Sequence, residues 1–147
     1  MLVSLAGCGL FRSDEDKELE RLLKAKAEIT VFVTIDVTPQ QKDDIEARLR
    51  TVPGVTGVVF EDHEAAYARM KKVFADDPTK MPDIPPSYLP QSFVVTMKDQ
   101  AAVRKVRDSG IAGELKALPG VQDLVIICTT VDECKKKKKT SPSPAVS

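Results

Sequence analysis

The residues of this 147-residue chain whose types invite chemistry are a single histidine, a few adjacent carboxylates, three cysteines and a run of five lysines. His63 stands between Asp62 and Glu64 at what reads as a helix start, where an imidazole is ordinarily a solvated first-turn residue. The pairs Asp43-Asp44 and Asp76-Asp77 read as a helix face and a loop. Carboxylates alone can cleave glycosides when two are held across a cleft, but nothing in their spacing marks such a pair. A nucleophile elbow, a phosphate-cradling glycine loop and a His-Glu-x-x-His metal pair are all missing. No catalytic residue and no cofactor is therefore expected. Two cysteines and one distant histidine fall short of a four-ligand zinc site, so no metal is expected either.

The cysteines suggest a compartment instead. Leu5-Ala6-Gly7-Cys8 resembles a bacterial lipobox, in which small side chains beside the cut admit the processing peptidase and Cys8 is lipidated. Only seven residues precede Cys8, fewer than a basic n-region and an apolar core of about 7 to 15 residues require. The other reading is a frayed apolar end with a chance cysteine. Once lipidation removes Cys8 from the count, Cys128 and Cys134 remain as a disulfide pair for an oxidising compartment, or as two free thiols.

Formal net charge is zero, yet Lys135 to Lys139 lie in a tail without acids. Setting those five aside leaves 17 basic against 22 acidic residues in positions 1–134, an acidic body that argues against nucleic-acid binding. No stretch reaches the roughly 18 to 20 apolar residues needed to cross a bilayer.

The elements that must position any site can be read from periodicity and caps. Residues 1–12 carry the partial lipoprotein signal, and residues 13–28 are charged and helix-prone, either a linker or a helix packed on the domain. In residues 29–37 apolar side chains alternate with Thr30, Thr34 and Asp36, the period of a half-buried strand, and Phe32 alone breaks the polar face. Something should cover it. Thr38-Pro39-Gln40-Gln41 predicts an N-cap, a first-turn proline and a capping-box glutamine, opening a helix that ends at Pro53-Gly54. A strand over 55–60, a helix over 63–74 capped by Asp62, a strand over 93–97, a helix over 99–118 broken at Ser109-Gly110 and a strand over 121–127 follow. Five prolines in 75–91 exclude long regular structure there. From Lys135 on, the tail (135–147) has nothing to bury and is expected to be disordered.

A short repeat organises these elements. Leu49-x-x-Val52-Pro53-Gly54-Val55 recurs as Leu115-x-x-Leu118-Pro119-Gly120-Val121, each time joining a helix to a strand. Two strand–helix–strand units predict an α+β, ferredoxin-like split βαβ sandwich over 29–134, a four-stranded antiparallel sheet with two helices on one face. Residues 62–91 are then an inserted helical, proline-rich lobe. Tyr67, Met70, Val73, Phe74, Met81, Ile84, Tyr88 and Leu89 concentrate large apolar groups in it, more than so short a lobe can hide. Exposed aromatic and methionine side chains are what protein interfaces use. The expected partner-binding residues are Tyr67, Met70, Phe74, Ile84, Tyr88 and Leu89.

Val31-Phe32-Val33, the first Pro-Gly turn, Glu64-Ala65-Ala66, Leu89-Pro90-Gln91-Ser92-Phe93 and the closing Leu118-Pro119-Gly120-Val121 together resemble the extracellular domain of FtsX, a permease-like cell-division protein. The resemblance spans about residues 29–127. It implies a non-enzymatic docking domain outside the membrane that binds peptidoglycan hydrolases or their activators, here held to the outer face of the cell membrane by lipid at Cys8. Coupling to a cytoplasmic ATPase, which FtsX achieves through transmembrane helices, is not implied. The alternative function for such a sandwich is a small-ligand sensor, which a polar pocket with convergent charges would favour.

Overall fold

Alternation sets the first strand. In the computed structural model, which describes residues 13–140 (side chains through 137), β1 runs Glu28–Val33 with Ile29, Val31 and Val33 buried and Glu28, Thr30 and Phe32 half-buried. The strand ends four residues before its apolar alternation does, and Ile35 is 93% exposed. Two hydrogen bonds cause this: the Thr34 N–H donates to the Gly120 carbonyl at 2.9 Å, and the Val37 N–H turns back to Thr34 at 3.1 Å. The chain is thereby aimed at Thr38, whose hydroxyl accepts from the Gln41 N–H while Gln41 Oε1 accepts from the Thr38 N–H. That reciprocal box opens α2, Pro39–Arg50.

Strands β2 (Val55–Glu61), β3 (Ser92–Met97) and β4 (Val121–Val125) complete an antiparallel sheet in the order β2-β3-β1-β4. The second crossover helix is broken, as expected, into α4 (Gln100–Asp108) and α5 (Ile111–Lys116). The result is the predicted split-βαβ sandwich. Its core lies between one sheet face, carrying Ile29, Val31, Phe93 and Val95, and the inner stripes of the helices, carrying Ile45, Leu49, Val103, Val106 and Leu115. Both Pro-Gly turns require positive φ, 89° at Gly54 and 88° at Gly120, which a side chain would oppose.

The remaining elements attach outside this core. Helix α3 (His63–Val73) and 3₁₀ turns at Pro78–Lys80 and Pro86–Tyr88 form the insertion. Helix α1 (Asp14–Ala25) fills most of the stretch read as a linker, and it is docked: Leu23 is 8% exposed, and the Gln100 amide donates to the Leu23 and Lys26 carbonyls at 2.6 and 2.9 Å. At the other end Cys128 and Cys134 are joined as a disulfide. Between them, Glu133 accepts from the Thr129 N–H and hydroxyl and from Arg107. The tail departs from the expectation of disorder from Lys135, since α6 spans Val131–Thr140. Acids in its first turn suit the helix dipole, and Lys135 forms an ion pair with Asp16 of α1. Residues 141–147 and the lipobox at Cys8 lie outside the described residues.

Candidate docking groove on the insertion lobe

The lobe is fastened by polar contacts, and none of α3 is buried. Asp62 caps it by accepting from the Ala65 N–H at 2.8 Å. His63 is no free first-turn residue: its Nδ1 lies 2.6 Å from the Leu89 carbonyl and its Nε2 2.8 Å from the Gln91 amide nitrogen. A carbonyl can only accept, so Nδ1 carries the proton and Nε2 accepts from the amide. Both ring nitrogens are thereby engaged in holding the start of α3 to the segment that enters β3. Arg69 does the same from the helix middle, reaching Glu61 at 3.1 Å and Glu28 at 3.7 Å. These carboxylates stand on the sheet face opposite the core, so α3 lies over that face. In the turn that follows, the Thr79 hydroxyl and the Lys80 ammonium hold the Asp77 carboxyl below the usual carboxylate range.

Because polar clamps hold α3 up, an apolar groove of about 280 Å³ runs between it and the sheet. Met70 and Val73 form one wall, Leu89 and Pro90 the other, and Phe32 the floor. Phe32, the residue that broke the polar alternation, is half-buried there. Round the corner, Tyr88, Leu89 and His63 line a second recess of about 180 Å³ beside Ile35. Leu89 is common to both.

The six residues expected to bind a partner are thus divided. Met70 and Leu89 face each other across the groove, and Tyr88, 77% exposed, stands at the recess. Tyr67, Phe74 and Ile84 are half-buried but line neither, and the Tyr67 ring is covered by Lys71 Nζ, 4.7 Å from its centroid. Sequence reasoning assigned no role to Arg69 or Pro90 and undervalued His63. The proline next to a β3 lead-in was the available signal for a rigid groove wall. Among the described residues no cluster of three metal-ligating side chains occurs, and no helix is long and apolar enough to cross a membrane.

The family described as FtsX extracellular domain matches residues 26–133. No curated protein matches the chain. Among solved structures, the chain is similar to extracellular domain 1 of FtsX from Streptococcus pneumoniae in complex with undecyl-maltoside, at 16% identity and a TM-score of 0.50 over 67% of this chain and 92% of that one. A solution structure of the large extracellular loop of FtsX from the same organism gives 17% identity and a TM-score of 0.50, over 67% and 96%.

Proposed function

The chain belongs to the FtsX extracellular domain family, and from that premise we propose that it is a non-enzymatic, extracytoplasmic docking module whose groove under α3 receives an apolar segment of a peptidoglycan hydrolase or of its activator. The observation that carries this reading is the lobe's construction. A helix with no buried residue is held off the sheet by Arg69 and His63, leaving Met70, Val73, Leu89 and Phe32 facing one another. A lobe that existed only to complete the core would have closed over these side chains. Pro90 in the groove wall also limits what that segment loses on binding. An alkyl tail such as that of undecyl-maltoside, present in the pneumococcal relative's crystal, has the chemistry such a groove accepts. In this reading lipid at Cys8 holds the module at the outer face of the membrane.

The test pairs binding with stability. Cell-wall hydrolases and activators encoded in the same genome are titrated against wild type, Met70→Ala, Leu89→Ala and Tyr88→Ala, with thermal unfolding of each. Anchors of this kind are worth about 1 to 3 kcal/mol when truncated. Folded variants that bind as tightly as wild type overturn the groove as the docking site. Fractionation of wild type and Cys8→Ala from cells tests the anchor, and equal solubility rejects it.

A further inference from the structure

A cavity of about 610 Å³ lies away from the groove, between α1, α4 and the loop closed by the disulfide. Five charged side chains line it: Asp16, Glu20, Lys24, Arg104 and Asp132. Three are answered within the protein, Asp16 by Lys135, and Glu20 and Lys24 by each other at 3.1 Å. Arg104 and Asp132 are not: among the described residues neither side chain forms an ion pair or a hydrogen bond. The Arg104 charge is felt by Asp108, but Arg107 already grips that carboxylate at 2.8 Å. The cavity therefore presents a half-exposed cation on α4 and an exposed anion on α6, neither paired within the protein, with Leu23 and Val131 as apolar residues of the same lining.

The arrangement is built with some rigidity. Gln100, one turn before Arg104, is locked to α1 by two hydrogen bonds. Thr129 is 3% exposed and bonded to Glu133, and Thr129 to Asp132, four of the ten lining residues, belong to the loop between Cys128 and Cys134.

We infer that this cavity binds a short peptide with free ends, its carboxylate taken by Arg104 and its ammonium by Asp132. A guanidinium presents a fork of donors that fits a carboxylate, and a lone carboxylate suits an ammonium. A volume in the range of about 300 to 1,000 Å³ typical of small-ligand sites accommodates a dipeptide or tripeptide better than a single amino acid. The site does not depend on the groove under α3.

Calorimetric titration of the full chain with dialanine, in its LL and DD forms, tests this. The same peptides N-acetylated or C-amidated serve as the second arm. Charge-assisted hydrogen bonds worth about 1.5 to 3 kcal/mol predict that either block weakens binding about 10- to 100-fold. Arg104→Gln should weaken the free peptide to the level of the amide and leave the amide unaffected; Asp132→Asn should do the same for the acetylated form. Unchanged melting curves confirm that these variants remain folded. Reduction with dithiothreitol should weaken the free peptide, because it releases the loop carrying Asp132. Blocked peptides that bind equally well, an Arg104→Gln variant that still distinguishes acid from amide, or no saturable binding of either form at millimolar concentration overturns the assignment.

Discussion

Arg107 of α4 and Glu133 of α6 meet at 3.0 Å, and on its other side Glu133 takes the N–H and the hydroxyl of Thr129 at 2.9 and 2.8 Å. Those two Thr129 bonds, with Arg107 behind them, lower the Glu133 pKa from 4.5 to about 2. A carboxyl whose folded pKa is depressed contributes stability above its ordinary pKa and loses it as the pH falls toward the folded value. Glu133 is partly exposed, so the contribution should be about 1 kcal/mol or less. Melting temperature measured from pH 5 downward should fall less steeply in Glu133→Gln than in wild type. Parallel curves would show that the seam carries no acid-labile stability.

The disulfide closes a short loop, and a loop of this size stabilises by about 2 kcal/mol in the chain-entropy account. Cys128→Ser with Cys134→Ser should lower stability by that order, with faster amide exchange confined to α6 and the first turn of α1, which contact each other through Lys135 and Asp16. Mass spectrometry of non-reduced protein isolated from outside the cytoplasm should find no free thiol at either position.

The two Pro-Gly turns share φ but differ in surroundings. A Cβ at Gly54 would stand 2.7 Å from Ala102 Cβ, which is fixed to the α4 backbone, whereas at Gly120 the near atoms are the Val37 methyl at 3.0 Å and the Gln41 side chain. Positive φ alone costs a residue with a Cβ about 1 to 2 kcal/mol. Gly120→Ala should lose about that much, and Gly54→Ala distinctly more, because helix backbone must move. Chemical denaturation of both variants compares them directly, and equal losses would contradict the packing difference.

His63→Ala should release the segment entering β3 without dissolving the sandwich. The Leu89 carbonyl and the Gln91 amide lose their partner, a loss of about 1 to 3 kcal/mol where such groups are out of water. Hydrogen exchange should accelerate at residues 87–91 while the β1–β3 amides stay protected. Uniform acceleration across the sheet would mean that the imidazole supports the core and not the lobe alone.

The features legible in the sequence were those governed by local stereochemistry. The capping box at Thr38 and Gln41, the Asp62 cap, the Ser109-Gly110 break and the repeated Pro-Gly turns all depend on a few adjacent residues, and each took the form expected. Ile35 shows where periodicity stops informing: alternation says which way side chains point, but the strand ends where Gly120, remote in the chain, captures the Thr34 N–H. For the same reason His63 looked solvated, since its partners come 26 and 28 residues later. The lysine run looked like the start of a disordered tail because the countercharge of Lys135, Asp16, sits at the opposite end of the chain. Of the groove, the apolar content of the lobe was visible, but Arg69 as the strut that props it open was not, because Glu28 and Glu61 become neighbours only across the finished sheet.

Strand β1 begins and β4 ends side by side, Thr30 opposite Val125, in an antiparallel pair. A tether drawn on both ends of the domain therefore loads this sheet in the unzipping direction, one hydrogen bond at a time, instead of in shear across all of them. Before any of those bonds feels the load, α1 must be peeled from α6. Under tension the domain should yield in two stages at low force, the first marked by loss of the Asp16–Lys135 contact and the second by separation of β1 from β4.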